Sequence, residues 1–187
     1  MMSINHMIME GNDMEGKGLI KYTAISFIIG VLPIIVVFAI YFANKDSSVL
    51  HTLFQIADGY NRDFSEQHIA VSTIASAYAK TAPVFAILMF VLGWKSLDLK
   101  TINIDLKRWF KVLPGAIILI LGVYWLTYSG IDNMSTSMYR VKRFVAENEF
   151  FLMIYYILLF LTNYFFTWLF MLYLYILKGL PYFKKRV

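Results

Sequence analysis

The sequence predicts an all-α integral membrane protein, a four-transmembrane-helix bundle with short amphipathic surface helices in its loops. Three observations carry that expectation. Hydrophobic residues make up 59% of the chain and charged residues 16%, against roughly 45–50% and 25% in soluble domains. The apolar residues gather into runs near 22–43, 75–94, 112–131 and 150–177, and a helix needs about 20 residues to cross a bilayer. The basic residues cluster beside those runs, as on the cytoplasmic face of a membrane rather than on a nucleic-acid-binding surface. With 187 residues in all, the whole chain, 1–187, reads as a single membrane domain. It contains no cysteine, so it has no disulfide framework and no thiolate metal site.

Residues 1–21 read as a short polar tail. Glu10, Asp13 and Glu15 mix there with glycines, unlike the basic stretch and apolar core of a cleavable signal peptide. The first span, 22–43, is flanked by Tyr22 and Tyr41 as interfacial aromatics. Pro33 lies near its centre and frees the carbonyl of Ile29 from its helical bond. Gly30 removes a side chain one turn earlier, so this is either a plain kink or a close-packing face. In the first loop, Val49, Leu50, Leu53, Phe54 and Ala57 recur at three- and four-residue spacing, which predicts a surface helix. Asp58-Gly59 then reads as a turn. His51 and His68 show no metal-site pattern and are expected to be solvated.

The second span, 75–94, contains Lys80 and Pro83. A buried ammonium costs on the order of 3 kcal/mol on insertion scales, so such residues tend to face partners or water. Two readings fit: Lys80 snorkels outward from a kinked helix, or it faces a partner. In the second loop Leu99, Ile102, Leu106, Trp109 and Phe110 share one helical face, predicting a helix against the bilayer rather than a strand. The third span, 112–131, has Pro114 in its first turn, where a missing N–H costs nothing. Tyr124, Trp125 and Tyr128 form a belt at its far end. The fourth, 150–177, is free of charge and long enough to be tilted or to protrude. Within it Asn163 and Thr167 are four apart and share a face, as an interhelical hydrogen-bonding pair would.

Several of these residues form motifs. Tyr78-Ala79-Lys80-Thr81-Ala82-Pro83, leading into an apolar helix, resembles the second span of the immunity proteins that protect bacteria against pore-forming colicins of the A, B and N type. Ile28-Ile29-Gly30-Val31-Leu32-Pro33 resembles that family's first span, and Thr162-Asn163-Tyr164 is similar to a patch in its last helix. Length, span number and spacing agree along nearly the whole chain. In the third loop, Asn133-Met134-Ser135-Thr136-Ser137 keeps only the hydroxyl character of the family's pattern. The resemblance implies a protein of the bacterial inner membrane that binds the C-terminal channel domain of one cognate colicin before its voltage-driven channel opens. The colicin's hydrophobic hairpin is the expected contact within the bilayer. Tyr78, Lys80, Thr81, Pro83, Gly30, Pro33, Asn163 and Thr167 are the residues expected to recognise it.

Charge sets the expected orientation. The tail, second loop and C-terminus hold two, five and four Lys and Arg, eleven in all, against two and three in the first and third loops. Both termini are therefore expected in the cytoplasm. The parts for catalysis are missing: all 12 acidic residues lie outside the spans and no span contains a histidine. No cofactor or metal is expected. A transporter would usually carry a membrane-embedded acid, often with internal repeats. A non-enzymatic binding protein fits better, with the lipid bilayer and a colicin as partners and no nucleic acid. A small accessory or exclusion subunit of a membrane complex is the alternative that composition allows.

Overall fold

Inside a bilayer every backbone N–H and C=O needs a partner within the protein, which makes the helix the default element. The computed structural model describes residues 25–59, 63–93, 106–129 and 132–184 and is mostly helical. In chain order its elements are α1 (Ile25–Ala43), α2 (Ser48–Ala57), β1 (Asp63–Phe64), α3 (Ile69–Ala79), α4 (Ala82–Gly93), α5 (Leu106–Tyr128), β2 (Asp132–Asn133), a 3-10 turn (Met134–Thr136), α6 (Arg140–Glu147) and α7 (Glu149–Lys184). Three helical stretches are long and apolar enough to cross a membrane: Ile25–Ala43, Ile69–Gly93 and Glu149–Ile176. In α5 the purely apolar part is shorter, Leu113–Tyr128. That helix begins at Leu106, so Pro114 lies inside it instead of in its first turn. Residues 94–105, most of the expected second surface helix, lie outside the described residues, as do 1–24.

The longest helix, α7, is the one the others pack against. Leu152, Tyr156, Phe160, Asn163, Tyr164 and Thr167 recur at three- and four-residue spacing along one buried stripe. α3, α4, α5 and α6 all touch it. Phe160 is the centre of that contact. Tyr78 of α3 stacks on it at 5.8 Å between centroids, Phe85 of α4 meets it edge-on at 5.8 Å, and Tyr164 stacks at 6.4 Å. α1 reaches the same ring because Gly30 has no side chain: a Cβ there would lie 2.7 Å from Phe160 Cζ and 2.9 Å from Cε1. Ser26 of α1 shares a hydrogen bond of 2.8 Å with the Tyr164 hydroxyl. Gly30 is thus a close-packing position. The outward faces of α1, α4 and α5 carry exposed apolar residues such as Ile28, Leu92 and Leu121.

At one end the first and third loops fold together into a cap. β1 and β2 pair in parallel, Asp63 with Asp132 and Phe64 with Asn133. A two-residue ladder is marginal alone, and side chains complete it. Ser72 and Ser76 of α3 accept from the backbone N–H groups of Ser65 and Asp63 at 3.1 and 3.0 Å. The match is geometric: four residues of helix rise about 6 Å, and two residues of strand about 6.6 Å. Tyr156 of α7 donates to the Asp63 carbonyl at 2.8 Å, and Ser65 Oγ donates to the Ala146 carbonyl at 2.7 Å. Ser135 Oγ accepts from the Glu66 N–H at 3.0 Å.

The cap corrects two expectations. Tyr41 is not an interfacial aromatic; it is 5% exposed and its hydroxyl bonds His68 Nδ1 at 2.9 Å. His68 is not solvated but buried, with Nε2 3.5 Å from the Glu147 carbonyl. Both point inward because the loops cover the end of the bundle. The helix expected at 49–57 is present as α2, whereas α6 and β2 had no predicted counterpart.

Because the Phe160 ring is enclosed on three sides by other rings, it cannot swing aside for a methyl group. Gly30→Ala should lower stability by about 1–3 kcal/mol, the usual cost of overpacking. Combined with Phe160→Leu, the two changes should cost less than their sum, measured by unfolding in detergent. Strict additivity would contradict the contact.

A candidate recognition cleft at a broken helix

The second long apolar segment is interrupted at a turn rather than kinked. Pro83 has no N–H to give the Ala79 carbonyl, and its ring crowds that carbonyl. α3 therefore stops at Ala79, Lys80 and Thr81 form a turn, and α4 restarts with Pro83 in its first helical turn. Thr81 closes the turn: its N–H and its hydroxyl both donate to the Tyr78 carbonyl, at 2.8 and 2.7 Å. The Tyr128 hydroxyl, arriving from α5, donates to the Lys80 carbonyl at 2.6 Å.

Tyr78 also bonds α1. The Tyr78 hydroxyl donates to the Gly30 carbonyl at 3.0 Å. The sequence pointed to Ile29 as the carbonyl released by Pro33; the donor arrives one residue later, where the absent side chain leaves the carbonyl accessible. Tyr78 thus joins both proline-bearing helices to the Phe160 stack.

Beside the break lies an open cleft of about 750 Å³, within the range of roughly 300–1,000 Å³ typical of ligand pockets. Leu53, Ile56, Ala57 and Gly59 from α2 and its turn form one wall. Ile74, Ala77, Tyr78, Lys80 and Thr81 form the other, with Tyr128 at the edge. The lining is mostly apolar; it includes the Lys80 side chain and the hydroxyls of Tyr78, Thr81 and Tyr128, each of which donates to a backbone carbonyl. It accommodates several side chains of an entering segment.

Lys80 is half-buried, and β1 places Asp63 within its electrostatic reach. Burial raises the Asp63 carboxyl above its ordinary value; Lys80 opposes this, Asp132 adds to it, and Lys142 and a hydrogen bond from Tyr155 oppose it. Lys142 is itself ion-paired with Asp132. The acid that faces Lys80 lies far from it in any span-by-span reading, since it sits in the first loop and returns only through the pairing of β1. Spacing alone carried no signal for it.

The other expected recognition residues are distributed as follows. Tyr78, Lys80 and Thr81 line the cleft, and Pro83 stands at the head of α4 beside it. Gly30 lies against Phe160, and Pro33 is half-buried in α1. Asn163 and Thr167 are buried on α7. The Asn163 amide donates to the Leu159 carbonyl at 3.0 Å within its own helix, leaving its oxygen buried without a partner. Thr167 reaches another helix, through a hydroxyl–hydroxyl bond with Tyr124. Among the described residues no group of three His, Asp or Glu could hold a metal ion.

A family model described as "Colicin immunity protein" matches residues 46–187. The match takes in the cap, the cleft and everything from α2 onward, and leaves Gly30 and Pro33 outside it. No curated protein and no solved structure matches the chain.

Since the folded pKa of Asp63 is raised, its contribution to stability is fully present below the unfolded value of 3.8 and is lost as pH rises through the folded value. Asp63→Asn, which mimics the neutral acid, should therefore unfold at or above the parent's midpoint near about pH 7. The difference should vanish near about pH 4. A variant less stable than the parent at neutral pH would contradict burial as the dominant influence.

Proposed function

Because the chain belongs to the colicin immunity protein family, we propose that it protects its host from a pore-forming colicin by binding that toxin's channel domain within the inner membrane. The cleft at the broken helix carries the proposal. An apolar recess at a membrane helix, with a lysine and hydroxyl groups on its lining, suits the hydrophobic hairpin of a toxin that must enter the bilayer to open. Tyr78, Lys80, Thr81 and Pro83 form the direct contact, while Gly30, Pro33, Asn163 and Thr167 position the helices behind it.

In this reading the chain crosses the membrane four times with both termini in the cytoplasm. The pairing of β1 with β2 supports it, because loops joined in one cap lie on the same side and are separated by an even number of crossings. One crossing is α3 with α4. The other is α5, whose 23 residues extend about 34 Å. The count of basic residues supports a periplasmic cap.

Inhibition needs no chemistry. A differential affinity of about 10⁴-fold, or 5.5 kcal/mol, for the closed over the open toxin moves a two-state equilibrium almost completely. The protein is accordingly a binding inhibitor and not an enzyme.

Cells expressing the chain and challenged with a panel of colicins should survive at least one pore-forming member and none of the nuclease type. Lys80→Met should reduce survival at unchanged protein level, and Lys80→Arg should retain most of it. Failure to protect against every pore-forming member would overturn the proposal.

A further inference from the structure

Helix α6 presents the wrong face to solvent for a loop helix of a soluble cap. At 100° per residue Val141, Phe144 and Val145 share one side. Of these Val145 is half-buried against the core beside fully buried Ala146, while Val141 is 74% and Phe144 54% exposed. Met138 and Tyr139, just before the helix, are 94% and 72% exposed. Arg140 and Arg143 are exposed beside this stripe, and Arg143 Nη1 donates to the Ser137 carbonyl at 3.2 Å. Lys142 is engaged with Asp132, and Glu147 is the one exposed acid of the helix.

The stripe does not end with α6. Phe144 packs against Phe151 with centroids 5.0 Å apart, and Phe150 and Phe151 stand exposed on the first turn of α7. From there exposed Leu158 and Phe165 continue along the membrane-spanning part of α7. The apolar surface of α6 is thus continuous with a wall that faces acyl chains, and exposed arginines border it at the end where headgroups would lie.

We propose that α6 is an interfacial anchor, with Met138, Val141 and Phe144 inserted at the headgroup boundary and Arg140 and Arg143 on anionic phospholipid. This rests on α7 crossing the bilayer and is independent of the colicin. Such helices combine buried apolar area with attraction to anionic lipid. An anchor here fixes the depth of the cap, and through β2 the height of β1 beside Lys80.

The absence of cysteine allows single-site labelling of the full chain. A bimane dye on Val141→Cys, and a control on Leu158→Cys, would be read in vesicles containing phosphatidylglycerol or only phosphatidylcholine, with brominated acyl chains and aqueous iodide as quenchers. The expected result is lipid quenching at both positions, that at Val141 strongest with phosphatidylglycerol. Arg140→Gln and Arg143→Gln should each lower the docked-to-undocked ratio at Val141 roughly fivefold in those vesicles. Iodide quenching at Val141 with lipid quenching at Leu158 would overturn the anchor alone. Iodide quenching at both would overturn the membrane crossing as well. A Val141 label shielded only after a colicin channel domain is added would give this surface to a protein partner and overturn the lipid assignment.

Discussion

Backbone groups left open inside a bilayer must be satisfied by the protein's own side chains, and among the described residues three tyrosine hydroxyls go to backbone carbonyls of neighbouring elements. Pro83 stands where α3 gives way to α4, β1 is an extended strand set beside α3, and Pro33 lies within an unbroken α1. An unsatisfied amide in an apolar medium costs several kcal/mol. A hydroxyl arrives from a neighbouring element at each of three carbonyls: Tyr78 at Gly30, Tyr128 at Lys80, and Tyr156 at Asp63. Ser72 and Ser76 take the strand's N–H groups. Each such bond averages only about 0.6 kcal/mol when measured in membranes, so their larger effect is on which arrangement of the helices avoids open groups.

The candidate site follows from that arrangement. A continuous helix through Lys80 would present a uniform apolar wall. The break puts Lys80 and Thr81 in a turn, and both line the recess that α2 and α3 form. Asp63 then provides a counter-charge to Lys80 from the cap.

The apolar runs at 22–43, 75–94 and 150–177 were legible because hydrophobic composition over about 20 residues is a strong signal. So was α2, whose apolar residues recur at helical spacing. The motif from Tyr78 to Pro83 pointed to the segment that lines the cleft. What was not legible depends on contacts across the chain. Tyr41 and His68 meet through the cap, Asp63 comes near Lys80 because β1 lies along α3, and Asn163 donates within its own helix. Nor did the spacing of Ser72 and Ser76 announce a pair of acceptors until a strand lay beside them. Short elements such as β1 and α6 carry too few residues for periodicity to speak.

The most direct measurement places a photo-crosslinking amino acid at Ile56, an exposed residue on the cleft wall, and at Leu119, an exposed residue of α5 that does not line it. In cells exposed to a pore-forming colicin that the chain neutralises, Ile56 should form an adduct with the toxin's channel domain and Leu119 should not. An adduct from Leu119 alone, or none from Ile56 while protection persists, would contradict a toxin seated at the broken helix.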